Sequence, residues 1–121
     1  GQDAARAVKL GVDGIVVSNH GGRQLDAAPP PLAQLLAIRA AVGKDVPLIV
    51  DSGIMSGLDI VRVLSAGADF ALVGRGFMYA VAALGNKGGE HAASILLEEV
   101  RDVMAQLGLS SIDEVKRLGN G

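Results

Sequence analysis

Nine consecutive residues, Ser18-Asn19-His20-Gly21-Gly22-Arg23-Gln24-Leu25-Asp26, follow directly on the apolar run Ile15-Val16-Val17 and bring together an imidazole, a guanidinium and two adjacent glycines. An imidazole near its neutral-pH titration range can act as a general base, and a guanidinium three residues on can grip a carboxylate through two parallel hydrogen bonds. The glycines between them let the backbone approach a ligand closely. In isolation, His20 also reads as an exposed loop histidine that stabilises a turn.

Two further stretches end apolar runs in the same way. Pro47-Leu48-Ile49-Val50 passes into Asp51-Ser52-Gly53-Ile54-Met55-Ser56-Gly57, and Phe70-Ala71-Leu72-Val73 passes into Gly74-Arg75-Gly76. Exposed backbone N–H groups and helix N-termini bind anions, and Arg75 would strengthen such a site. Taken singly, Gly53, Gly57, Gly74 and Gly76 are ordinary turn chemistry; as two successive units with an arginine they read as a phosphate cradle. Asp51 is open to four readings: metal ligand, base, hydroxyl acceptor or structural hydrogen-bonder. His91 reads as a solvated helix residue, Tyr79 as packing, and Glu98, Glu99, Arg101 and Asp102 as a solvated face.

The elements that position these residues follow from periodicity. The spacing predicts a helix over 3–10 with Asp3 as N-cap and Gly11 as a left-handed stop, then a buried strand over 12–18. Pro29-Pro30-Pro31 cannot join a sheet, and Pro31 suits a helix start, so a helix over 32–42 ends at Gly43. A strand over 47–50, a helix over 58–66 capped by Ser56, a strand over 70–73 and a helix over 77–84 come next. Residues 85–89 read as a loop, 90–107 as a long helix, and Ser111-Ile112-Asp113-Glu114 as a capping box before a helix ending near Leu118.

The segment Ala7-Val8-Lys9-Leu10-Gly11-Val12-Asp13-Gly14-Ile15-Val16-Val17 resembles Val63-Leu64-Ser65-Ala66-Gly67-Ala68-Asp69-Phe70-Ala71-Leu72-Val73. Repeated units with parallel strands build either a doubly wound sheet or a (β/α) barrel. Three functional tips converging on one ligand are more barrel-like.

With 121 residues the chain holds one modest domain, and half its residues are apolar. Phe70, Phe77 and Tyr79 are the only aromatics and the formal charge is −2, which disfavours a nucleic-acid surface built on stacked bases and basic patches. No cysteine is present, so disulfides and thiolate metal sites are excluded. No apolar run approaches the ~20 residues needed to span a bilayer. The expected location is cytoplasmic, or peripheral to the membrane for the intact protein.

The nine residues 18–26 resemble, position by position, the active-site signature of the FMN-dependent α-hydroxy-acid dehydrogenases and oxidases, the family of glycolate oxidase, L-lactate dehydrogenase and mandelate dehydrogenase. Asp51-Ser52-Gly53-Ile54 and Gly74-Arg75 are similar to its two FMN-phosphate segments. The resemblance covers essentially the whole chain and implies an α/β fold: the C-terminal portion of a TIM (β/α)8 barrel, three parallel strand-helix units with flanking helices.

By that resemblance, His20 is the base in the oxidation of a small L-2-hydroxy acid of lactate, glycolate or mandelate type, and Arg23 binds its carboxylate. Ser18 would touch the flavin, Asp51, Ser52, Gly53, Ile54 and Met55 would lie along the ribityl phosphate, and Gly74 and Arg75 would close on the phosphate. The family usually carries arginine where Met55 stands, so weaker FMN binding is expected here. A barrel of this type needs roughly 250 residues. The expectation is therefore a C-terminal fragment that acts with the missing N-terminal part, as a homo-oligomer when complete. The alternative expectation is a catalytically inactive barrel fragment that associates with itself or a partner through its open edges.

Overall fold

The computed structural model describes residues 1–119. The elements run α1 (Gln2–Lys9), β1 (Ile15–Val17), α2 (Pro31–Val42), β2 (Leu48–Val50), α3 (Gly57–Ser65), β3 (Phe70–Ala71), α4 (Arg75–Leu84), α5 (Gly88–Gln106) and α6 (Ile112–Leu118). Short 3-10 turns occupy His20–Gly22 and Gly85–Lys87.

The strands are parallel and stand in sequential order, β1-β2-β3, with Val16 opposite Ile49 and Ile49 opposite Phe70. Because side chains alternate across a strand, each strand presents one set of residues to the helices and the other to the opposite face. On the helix side, Val17, Leu48 and Val50 join Leu35 of α2, Val63 of α3, Ile54 and Ala68 in one buried cluster. Residues of both crossover helices pack in that single cluster, so α2 and α3 cover the same face. Consecutive strands with every crossover on one side are the arrangement of a barrel segment; a doubly wound sheet would change sides. On the other face Val16 and Phe70 are more than half exposed.

A second cluster of Val61, Leu64, Val100 and Val115 fastens α5 and α6 to the outside of α3. Each fully buried aliphatic side chain contributes about 1.5–3 kcal/mol.

The expected strands are longer than those observed. Pairing decides their length: β1 begins at Ile15 because β2 begins opposite it at Leu48. β2 ends at Val50, and although the Leu72 N–H still donates to the Val50 carbonyl (2.8 Å), Val73 has left the ladder. α1 starts at Gln2, with Gly1 as its cap, and Asp3 lies in the first turn, where a carboxylate complements the helix dipole. The expected loop over 85–89 is half helix: α5 begins at Gly88, where a Cβ would strike the Ala80 backbone of α4. Gly88 thus serves a close helix crossing, whereas a Cβ at Gly89 would meet nothing within 4 Å. The expected capping box forms at Ser111 with Glu114, and the expected N-cap Ser56 proves to be a capping box as well, with Asp59.

The repeat holds in detail. Gly11 and Gly67 adopt φ +93° and +104°, and the following N–H in each unit reaches back into its helix, Val12 to Ala7 and Ala68 to Val63. The units differ at the aspartate. Asp69 has β2 beside it and accepts the Leu48 N–H (2.9 Å) and Arg39 Nη2 (2.7 Å), whereas Asp13 stands exposed at the outer edge of β1.

Arg39 uses the whole guanidinium: Nε and Nη2 donate to the Gly67 carbonyl, Nη1 to the carbonyls of Gly43 and Val46, and Nη2 also to Asp69. Lys116 of α6 approaches the other Asp69 oxygen at 3.5 Å. Burial alone would raise the Asp69 pKa, but the Leu48 N–H, Arg39 and Lys116 outweigh it and hold the carboxyl below its ordinary 3.8.

A carboxylate with a depressed folded pKa stabilises the fold above its unfolded value, and that stabilisation is lost as pH falls through the folded pKa. Asp69→Ala should therefore cost about 1–3 kcal/mol at pH 7, the range for stranding buried partners. Urea titrations should show the gap between wild type and variant narrowing as pH drops below about 4. Gly57→Ala should cost a further, independent 1–3 kcal/mol or so by overpacking, because a Cβ there would meet the Val100 amide of α5; its denaturation midpoint should fall at every pH.

Candidate active site

All three strand tips open on one cleft of about 590 Å³, lined by His20, Arg23 and Gln24 from the first tip, residues 51–55 from the second, and Leu72, Val73, Gly74, Arg75 and Met78 from the third. This volume lies within the usual range for small-ligand sites.

The first tip turns on left-handed backbone. His20, Gly21 and Gly22 have φ of 55°, 68° and 73°, the last two at no steric cost and the first at some strain. The Asn19 side chain accepts the Gly21 N–H (3.0 Å), and Ser18 Oγ accepts the His20 N–H (3.0 Å). His20 and Arg23 are both exposed and share the cleft. Ser18 stands apart: it lines a separate groove beside the outer edge of β1, and reaches this site through its hydroxyl.

At the second tip, Ser52 is the other non-glycine residue with positive φ, +72°. Its hydroxyl donates to Asp51 Oδ1 (2.6 Å) and accepts the Gly21 N–H (3.0 Å), joining two tips that lie 31 residues apart in sequence. Asp51 continues the β1–β2 ladder through its N–H to the Val17 carbonyl (3.2 Å). The Ile54 side chain is buried in the core, so only its backbone remains for a ligand. Met55 is part-exposed on the cleft, and its N–H donates to Asp59 (3.1 Å).

The expected cradle is only half available. The N-terminus of α3 is already satisfied: its Gly57 N–H donates to Glu99 Oε2 of α5 (2.6 Å), and Ser56 and Asp59 close the capping box. Gly57 thus serves helix packing, and Glu99 is an anchor where a solvated residue was expected. α4 differs. It begins at Arg75 with Gly74 as N-cap and no side-chain cap, leaving its first amides for an incoming acceptor. A Cβ at Gly53 or Gly74 would meet nothing within 4 Å, so open space lies beside both turns.

An uncapped helix N-terminus, an adjacent guanidinium and glycine turns facing open space fit a phosphate, and the cleft beside them has room for the body of a mononucleotide such as FMN. His91 is exposed, as expected. Tyr79 is 61% exposed on α4 rather than packed, since nothing among the described residues covers that side of the helix. Gln24 of the nine-residue motif also lines the cleft, with Leu72, Val73 and Met78, which carried no functional signal in the sequence; Leu72 and Val73 read as strand core and Met78 as a helix residue.

The sequence model described as "FMN-dependent dehydrogenase" matches residues 1–118. An L-lactate dehydrogenase of Allorhizobium ampelinum is 49% identical over 114 residues, which are 94% of this chain and 30% of that protein. The L-lactate dehydrogenase of Vibrio cholerae is 49% identical over 116 residues, 96% of this chain and 31% of its own length. Among solved structures, mandelate oxidase in complex with benzoylformic acid superposes with a TM-score of 0.91 at 47% identity, covering 96% of this chain and 35% of that one. A variant mandelate oxidase carrying a monooxide FMN adduct matches equally well. The chain thus spans about a third of the length of these relatives. With the family model over nearly its full length and the three strand tips of a barrel segment in place, the chain belongs to the FMN-dependent α-hydroxy-acid dehydrogenase and oxidase family.

Proposed function

We propose that this chain is the C-terminal part of the catalytic barrel of an enzyme that oxidises a small L-2-hydroxy acid to the 2-oxo acid, in the cytoplasm or at the membrane periphery, together with an N-terminal part of the barrel. The observation that carries this reading is the single cleft on which His20 and Arg23 face the uncapped start of α4 and Arg75.

Arg23 binds the substrate carboxylate, and its planar fork fixes the orientation of the adjacent α-carbon. The oxidation removes two electrons and two protons from that carbon and its hydroxyl. His20 takes a proton on its ring as general base, at a position exposed to the cleft. The Gly53 and Gly74 turns, the α4 amides and Arg75 would hold FMN, which when bound would supply the acceptor for the two electrons and the second proton. Leu72, Val73 and Met78 give the cleft an apolar lining beside these polar groups.

A second reading has its own observation. β1 and β3 are both edge strands among the described residues, and Phe70 and Leu72, at and just beyond β3, and Met78 and Tyr79 of α4 expose apolar surface. Such edges favour association, so the chain alone would act as a self-associating, inactive unit. Native mass with a flavin spectrum separates the two: a second polypeptide with one FMN per assembly supports the enzyme, and flavin-free multimers of this chain support the second reading.

In the full-length enzyme, His20→Ala should lower kcat by about 10²–10⁴-fold with flavin content unchanged, whereas Arg23→Met should act mainly by raising KM for the hydroxy acid. An unchanged kcat in His20→Ala would reject its role as the base. Met55 offers no charge to a phosphate, so Met55→Arg should tighten FMN binding about tenfold, equivalent to roughly 1.4 kcal/mol; fluorescence titration showing unchanged affinity would refute this.

A further inference from the structure

Ser52 occupies a place where a serine is costly and a glycine would be free. Its φ of +72° is strained for any residue with a Cβ, while Gly53 beside it has φ +81° with open space around it. The hydroxyl is what the site gains. Ser52 O–H donates to Asp51 Oδ1 at 2.6 Å, a charge-assisted bond. With its proton committed there, Ser52 Oγ acts as acceptor for the Gly21 N–H at 3.0 Å, and Ser18 Oγ, 3.4 Å away, can donate to it as well. Ser18 Oγ in turn accepts the His20 N–H at 3.0 Å. The donors therefore run in one direction, from the amides of His20 and Gly21 through two hydroxyls to the Asp51 carboxylate.

The other bonds of the turn are local. Asn19 accepts from Gly21, and Gly22 and Arg23 donate to the carbonyls of Asn19 and His20. They shape the turn but do not place it relative to β2.

We propose that Ser52 is a positioning residue for His20, coupling the left-handed turn that carries the base to the β2 tip that faces the cofactor phosphate. The proposal rests on the functional reading of His20 given above. Its physical content is that the two tips move as one body: a ligand that orders residues 51–55 also orders His20, and a loosened hydroxyl chain uncouples them.

Amide NMR spectra of the full-length enzyme during FMN titration of its apo form read the coupling directly. In wild type, the Gly53, Gly74, Gly21 and His20 resonances should shift together. In Ser52→Ala, and equally in Ser52→Gly, Gly53 and Gly74 should still respond while the response of Gly21 and His20 falls at least threefold. The glycine variant relieves the backbone strain that the alanine variant keeps, so a shared loss assigns the effect to the hydroxyl. An undiminished response in both variants, or a loss in only one, overturns the proposal.

A cofactor-free measurement separates its failure from that of the FMN reading. In an Asn19→Ala background Ser52 is the remaining side-chain acceptor for Gly21, and adding Ser52→Ala should speed Gly21 hydrogen exchange tenfold or more. Equal exchange rates overturn the proposal whether or not FMN binds. Absence of any FMN-induced shift in the full-length wild type, with faster exchange in the double variant, refutes the FMN reading and leaves the coupling of the two tips standing.

Discussion

The guanidinium of Arg39 holds the lower ends of the strands in register. It reaches from α2 to the carbonyls of Gly43 and Val46 before β2 and of Gly67 before β3, and to the Asp69 carboxylate, which itself receives the Leu48 amide. Strands of two and three residues contribute few ladder bonds, so their alignment depends on what fixes their starts. A lysine could not replace this arginine, because an ammonium offers three donors around a point where five in a planar fork are used in different directions.

With the lower ends fixed by charge and the middle by apolar packing, the upper ends are free to carry chemistry. The polar residues that line the cleft lie at or beyond the C-terminal ends of β1, β2 and β3. The left-handed turn at His20–Gly22 and the bare N-terminus of α4 leave polar groups facing the cleft, whereas α3, one unit earlier, has its N-terminus closed by Ser56, Asp59 and Glu99. Two successive strand-helix units thus have the same outline and opposite capacities: one helix start is sealed for stability, the next is open for an anion.

Much of this was legible in the chain itself. The glycine stops at Gly11, Gly43 and Gly67, the capping residues Ser56 and Ser111, the α-β repeat and the three functional tips follow from local chemistry, and local chemistry is what a single sequence displays. The motif at 18–26 was specific enough to point to a family before any fold was known. What was not legible depends on partners distant in sequence. Glu99 reads as part of a solvated face, and Arg39 carries no signal at all, because nothing near them in the chain announces the Gly57 amide or Asp69. The boundary at Gly88 differs from expectation for a related reason: paired glycines signal a loop, and only the closeness of α4 shows that Gly88 serves a helix contact. Strand lengths were overestimated because apolar runs outlast their pairing partners.

The two polar ties of the sheet have one more property in common. The Ser52 hydroxyl bonds Gly21 across 31 residues at the upper end, and Arg39 bonds Gly67 and Asp69 across 28 and 30 residues at the lower end. Each closes a loop about one strand-helix-strand unit long, and the entropy of closing such a loop grows only slowly with length. The polar framework of the sheet is therefore assembled from closures of nearly equal size, and each closure leaves the next strand start or strand tip close to where it must bind.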